Sequence, residues 1–131
     1  GRRLLTHVHD VMRSGDEVPR VSVDTGLVDT MREMTRKGLG ATAVVDAQGR
    51  IAGIFTDGDL RRLIEAGRDL RDLRAGDVLH PSPRTVRADA LAVDAADLME
   101  QHRITSVLVV DADGLLVGAL NSNDLMRAKV I

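Results

Sequence analysis

The residues of this chain best placed to do chemistry are Thr56 and Asp59, in the run "GIFTDGDLRR" at residues 53–62. An apolar stretch ends at Phe55, a hydroxyl and a carboxylate follow, and a basic helix begins. Two readings fit that spacing. In the first, Thr-x-x-Asp is close to a capping box, each side chain satisfying a free backbone N–H of the first helical turn, where an Asp also suits the helix dipole. In the second, the hydroxyl and carboxylate stand side by side at a strand-to-helix turn and hold a ligand. A carboxylate accepts hydrogen bonds from two neighbouring hydroxyls, as on a ribose.

A phosphorylated ligand would also need cations or helix N-termini. Arg36 and Lys37 precede one apolar run, and His102 and Arg103 precede another. The alternative for each is a solvated helix end that favours the dipole. Gly40, Ala41 and Thr42 in "GLGAT", and Thr105 and Ser106 in "RITSV", are small or hydroxylated and would allow close approach to a base or sugar. Other constellations carry less. His7 and His9 flank Val8 but lack a third ligand, so they read as surface residues and no metal is expected. Asp57, Asp59 and Glu65 form no marked acid/base pair, and neither a Ser/His/Asp spacing nor a phosphate loop of the P-loop type is present. No enzyme contained within these residues, and no resident cofactor, is expected.

The elements that must position these side chains occur twice. Residues 38–64 lie over residues 103–129 without a gap: "VVDAQGRIAG" falls on "VVDADGLLVG", Asp59 on Asp124, and Leu60 on Leu125. Upstream, Asp24, Val28, Asp29 and Met34 fall on Asp89, Val93, Asp94 and Met99, and "HDVM" resembles "GDVL". Each copy reads strand-helix-strand-strand-helix. Leu27, Val28, Met31 and Met34 are at helical spacing, as are Leu91, Ala95, Leu98 and Met99. The apolar runs "ATAVVD" and "SVLVVD" are strands, "AQG" and "ADG" are tight turns, and "DGDLRRLIEAG" and "SNDLMRAKVI" are closing helices. The second copy has Asn121 where the first has Thr56. Asn caps a helix but is not the usual partner of a ribose, so the first copy is favoured as the site.

One such repeat buries too little surface to be comfortable alone. The expected fold class is therefore α+β: two β-α-β-β-α repeats packed sheet to sheet about a pseudo-twofold axis. The expected boundaries are a leading linker over residues 1–10, repeat one over 11–68, an inter-repeat linker with a short helical turn over 69–80, and repeat two over 81–131.

Composition narrows the partners. The chain has 131 residues, a 44% apolar share, a net charge of -2, and Phe55 as its single aromatic residue. With no basic stripe and no stacking platform, nucleic acid is not an expected partner. The absence of Cys excludes disulfides and thiolate metal sites and fits a reducing cytoplasm. No apolar run approaches the roughly 20 residues of a membrane helix. The opening "GRRLLTHVHD" is too short and polar for a signal peptide and has no initiator Met, which reads as a fragment of a larger protein.

The two "VVDxxGxxxG" cores, each followed by an Asp-Leu that opens a helix, resemble the tandem cystathionine-β-synthase (CBS) domain pair, or Bateman module, over nearly the whole chain. "MRSGDEVPRV", "TRKGLGATAVV", "GIFTDGDLRR", "RITSVLVVD" and the opening "GRRLL" are similar to the C-terminal part of bacterial D-arabinose-5-phosphate isomerases, in which a sugar-isomerase domain precedes the pair. The resemblance implies a regulatory half, with the catalytic half upstream. The parent would interconvert ribulose 5-phosphate and arabinose 5-phosphate on the way to the lipopolysaccharide sugar 3-deoxy-manno-octulosonate (Kdo). It implies ribose binding at Thr56 and Asp59, phosphate contacts from Lys37, His102 and Arg103 across a cleft between the repeats, and a base flanked by Pro19 and Arg20. It implies AMP, ADP or ATP as the family's usual ligands, CMP-Kdo as a feedback ligand, and at least a homodimer. The competing reading is a ligand-free oligomerisation module whose exposed apolar helix faces, such as "LMRAKVI", pair between chains.

Overall fold

The structure, a computed structural model, describes residues 4–131. The first three residues of the expected leading linker lie outside the described residues. In chain order the elements are α1 (Val8–Val11), β1 (Arg20–Ser22), α2 (Leu27–Lys37), β2 (Ala41–Val45), β3 (Ile51–Thr56), α3 (Asp57–Glu65), α4 (Ala75–Val78), β4 (His80–Pro81), β5 (Thr85–Arg87), α5 (Ala92–His102), β6 (Ser106–Val110), β7 (Leu116–Asn121) and α6 (Ser122–Arg127). They form two compact units. One is contiguous, Pro19–Pro83; the other joins Arg84–Ile131 to the chain up to Val18. The mixed α/β, two-repeat expectation holds.

The contiguous unit has a four-stranded sheet in the order β1-β2-β3-β4, and the other unit a three-stranded sheet, β5-β6-β7. In each, the first two strands are parallel and joined by a crossover helix, α2 or α5, and the next pair is an antiparallel hairpin. The repetition extends to irregularities: the register shifts between Val44 and Val45, and again between Val109 and Val110. The hairpin turns match too. Asp46 Oδ1 accepts the amides of Gln48 and Arg50, Asp111 Oδ1 accepts those of Asp113 and Leu115, and Gly49 and Gly114 supply φ of 77° and 81°.

The residues expected to form an inter-repeat linker are instead built into the first-repeat core. Ala75 is fully buried with Leu27, Met34, Val44 and Phe55, and Leu70, Leu73, Val78 and Leu79 pack against them. The Leu27 amide donates to the Leu73 carbonyl, and the Ala75 and Gly76 amides donate to the carbonyls of Thr25 and Val23. β4 then adds an edge strand to β3. The physical reason is the apolar spacing of Leu70, Leu73, Ala75 and Val78, which a free linker would leave in water.

The chain before β1 does the same for the other unit. Val8 is fully buried among Val107, Val109, Leu120, Leu125 and Val130, and Arg13 bridges antiparallel to Ala119. The resemblance of "HDVM" to "GDVL" is thus structural. In both places an Asp (Asp10, Asp77) accepts the amide of the residue three before it, and the chain then runs beside a hairpin strand. A glycine makes room each time. A Cβ on Gly53 would lie 2.4 Å from the His80 carbonyl oxygen, and one on Gly118 would lie 2.4 Å from Met12 Sδ and 2.9 Å from the Arg13 carbonyl oxygen.

Two smaller expectations shift. Val28 is at helical spacing with Leu27 but sits off the buried face and is exposed. The closing helix of the second repeat stops at Arg127; Lys129 takes a φ of 62°, and the Val130 amide donates to the Leu125 carbonyl, turning Val130 into the core. Much of "LMRAKVI" is therefore already partnered, and only Met126 and Ile131 remain as large exposed apolar side chains there.

Candidate functional site

β3 delivers Thr56 to the end of the sheet, and α3 begins at the next residue. Both halves of the capping box form: Thr56 Oγ1 accepts the Asp59 amide at 3.1 Å, and Asp59 Oδ2 accepts the Thr56 amide at 2.9 Å. The cap leaves functional valence at this turn. The Thr56 hydroxyl keeps its O–H to donate. Asp59 Oδ1 points to the other side, where Arg62 Nη2 donates to it at 2.6 Å and His80 Nε2 lies at 3.3 Å. Asp59 itself is 7% exposed, whereas the side chains of Arg62 and His80 are 62% and 64% exposed. Asp59, Arg62, Arg68 and His80 together edge an open groove of about 400 Å³ floored by Leu63 and Leu79. Asp77 lines the groove as well, and the Thr56 hydroxyl lies beside Asp59 at the turn; a carboxylate next to two arginines and a histidine suits a diol joined to a phosphate.

The neighbouring strand places some of the other expected residues. Ala41 pairs with Thr56, and the Gly40 carbonyl accepts the Asp57 amide, so both stand beside the turn. Ala41 and Thr42 are fully buried, and the Thr42 hydroxyl donates to the Ala43 carbonyl, so Thr42 offers no free hydroxyl at the surface. Pro19 and Arg20 are one strand further on: the Pro19 carbonyl accepts the Ala43 amide, and the Arg20 amide donates to Glu33 Oε2. Lys37 is not extended toward the turn. Its ammonium lies 3.5 Å from Glu33, which also accepts from Arg36. Burial opposes ionisation of Glu33, but Arg36, the Arg20 amide and Lys37 outweigh it and hold the carboxyl below its ordinary value.

His102, Arg103, Thr105 and Ser106 belong to the other unit, at the end of α5 and the start of β6. Arg103 ends the helix with a φ of 54°, the position Gly38 fills in the first repeat. The Thr105 carbonyl accepts the Ser122 amide, and Ser106 pairs with Asn121, so these two flank the second repeat's own turn. That turn is capped like the first: Asn121 Oδ1 accepts the Asp124 amide and Asp124 Oδ2 the Asn121 amide. It differs in what the carboxylate meets. Arg13 Nε and Nη2 reach Asp124 Oδ2 and Oδ1 at 3.1 and 3.2 Å, both side chains being largely buried. A fork of this kind occupies both oxygens.

Arg62, Arg68 and His80 were not singled out from sequence. Arg62 could have been, since it follows Asp59 at the spacing of helical neighbours. His80 follows "GDVL" much as Arg13 follows "HDVM", so the short upstream repeat already carried the signal.

A family model described as "CBS domain" matches residues 8–66 and 75–131. The chain is 50% identical over its full length to the arabinose 5-phosphate isomerase KdsD of Pseudomonas aeruginosa, and it spans 40% of that protein's length. Among solved structures, CBSX2 in complex with AMP, a CBS-pair protein from Arabidopsis thaliana, superposes with a TM-score of 0.81 at 28% identity, covering 94% of this chain and 95% of the other. A conserved protein from Pyrococcus horikoshii superposes at 0.85 with 22% identity over 96% of this chain and 93% of its own, a likeness of fold.

Proposed function

This chain belongs to the CBS-domain family as a tandem pair, and from that premise we propose that it senses a nucleotide for a sugar-phosphate isomerase. The single observation that carries the reading is the first-repeat turn. There Asp59, capped by Thr56, lines a groove edged by Arg62, Arg68 and His80. The ribose of a nucleotide donates to Asp59 and accepts from the Thr56 hydroxyl, displacing Arg62 from Oδ1; the freed guanidinium, with Arg68 and His80, then meets the phosphate. The second-repeat turn stays closed, because Arg13 already takes the place of a ligand on Asp124. AMP in CBSX2 supports the nucleotide class.

The relatives support a finer proposal. The chain aligns with part of an arabinose 5-phosphate isomerase, so the parent is proposed to carry an upstream sugar-isomerase domain, to act in the cytoplasm as at least a dimer, and to convert ribulose 5-phosphate to arabinose 5-phosphate. CMP-Kdo, the activated end product of such a pathway, is proposed as the regulatory ligand, with AMP, ADP or ATP as the alternative. The ligand acts by favouring one arrangement of the chain over another, and only to the extent of its differential affinity.

A second reading, ligand-free assembly, draws on Ile64 and Met126, large apolar side chains left exposed on α3 and α6. A thermal-shift screen with AMP, ADP, ATP, CMP, CTP and CMP-Kdo decides between them. A ligand present at about 100 times its dissociation constant adds roughly 2.7 kcal/mol of apparent stability. The sensing reading expects a rise with one of these ligands that disappears in a folded Asp59→Ala chain. No shift with any nucleotide, combined with a concentration-dependent dimer, favours assembly.

A further inference from the structure

We infer that His7, His9 and Asp10 form a chelating site for a divalent transition metal of the zinc class. The two histidines alone are a poor site, but the structure supplies a third ligand that spacing did not reveal. His7 Nδ1 lies 3.9 Å from Asp10 Oδ2, and His9 Nδ1 lies 3.1 Å from Asp10 Oδ1. Both imidazoles thus turn the same nitrogen toward one carboxylate, one to each oxygen. The rings are stacked, with centroids 5.2 Å apart and planes within 4° of parallel. One donor atom from each of the three residues falls within a group no more than 4.8 Å across. A tetrahedral ion with bonds of roughly 2.0–2.1 Å holds its donors about 3.4 Å apart, so rotation of the exposed side chains must close the group by up to about 1.4 Å.

The scaffold beneath the cluster is fixed. Asp10 Oδ2 is anchored by the His7 amide at 2.9 Å, and the Asp10 amide returns to the His7 carbonyl at 3.0 Å. The Val8 and His9 amides donate to the carbonyls of Ala90 and Ala88, and Val8 is fully buried between the two histidines. The backbone is therefore held while the three side chains remain about half exposed, at 45%, 51% and 50%, open to an ion from solvent. Two imidazoles and one carboxylate suit zinc and its neighbours rather than calcium or magnesium, which take oxygen ligands. Three protein ligands leave the fourth position to water.

The test uses the whole chain and Zn²⁺ alone, by titration calorimetry, with Co²⁺ and its visible absorption as a report on coordination. One ion per chain is expected. His7→Gln and His9→Gln should each weaken binding by about tenfold or more, since loss of an outer-shell partner alone typically costs about 10–100-fold. His80→Gln and His102→Gln, which alter the other two of the four histidines, should leave the isotherm unchanged. Circular dichroism confirms that each variant is folded. Absence of saturable binding leaves a simple histidine–carboxylate ion pair and overturns the proposal. So does binding that survives both His7→Gln and His9→Gln.

Discussion

Arg13 grips Asp124 with two hydrogen bonds, of 3.1 and 3.2 Å, across 111 residues of sequence. The matching position beside Asp59 is held by His80, a single contact at 3.3 Å on a side chain 64% exposed. The two repeats share a backbone plan but differ here in chemistry. One carboxylate is committed to the fold, and the other keeps a replaceable neighbour.

Removing each partner should separate these roles. Arg13→Ala leaves Asp124 buried without its counter-charge, and a loss of about 3 kcal/mol is expected in urea unfolding. His80→Ala should cost less than about 1 kcal/mol, because the His80 side chain is exposed and Asp59 keeps its bond from Arg62. Equal losses would remove the distinction between the two turns.

Thr56→Ala removes one half of the cap on α3. The expected cost is about 0.5–2 kcal/mol, read as a fall in the denaturation midpoint. Thr56→Ser keeps the oxygen and should recover most of it. A Thr56→Ser chain as unstable as Thr56→Ala would mean that the methyl group, and not the cap, carries the effect.

Gly53→Ala should be more harmful than an ordinary strand substitution. The new methyl would meet the His80 carbonyl oxygen, a backbone atom that cannot swing aside. Overpacking of this sort costs typically about 1–3 kcal/mol. The same change at Gly118 meets the flexible end of Met12 as well as the Arg13 carbonyl. Gly118→Ala combined with Met12→Ala should therefore recover only part of its loss.

Burial would raise the Glu33 carboxyl, but Arg36, the Arg20 amide and Lys37 outweigh it and hold it below its ordinary value in the folded chain. A depressed carboxyl stabilises the fold fully above its unfolded value and loses that contribution as pH falls through the folded one. Thermal midpoints measured from pH 6 down to about pH 3 should therefore drop less steeply in Glu33→Gln than in the parent chain. Parallel curves would show that Glu33 titrates alike in both states.

The repeat was legible because its signals are local. Val44, Val45, Asp46 and Gly49 recur as Val109, Val110, Asp111 and Gly114, and each quartet makes a strand and turn within itself. Thr56 and Asp59 were legible for the same reason. The short helical turn expected between the repeats is α4, but the packing of this segment was not legible, because Leu70, Leu73 and Ala75 find their partners at Leu27 and Thr25, far back in the chain, and no local period announces such pairing. The tie of Lys37 to Glu33 is a neighbour relation along α2 that the spacing of the two residues displays. Arg13 and Asp10 stayed hidden because their roles depend on the segment before β1 joining the distant β5–β7 unit.

That joining also sets an order of events during synthesis. The unit from Pro19 to Pro83 is contiguous, so all its contacts are available once its own residues have emerged. The other unit must wait for α6 and the residues after it: Val8 and Val130 share one core, and Arg13 needs Asp124. Contacts so far apart carry a large loop-closure cost and form slowly. Until the last strand arrives, Val8 and its neighbours have no core to enter. The segment before β1 is made ahead of the rest of its unit and finds its place only after the Pro19–Pro83 unit can form.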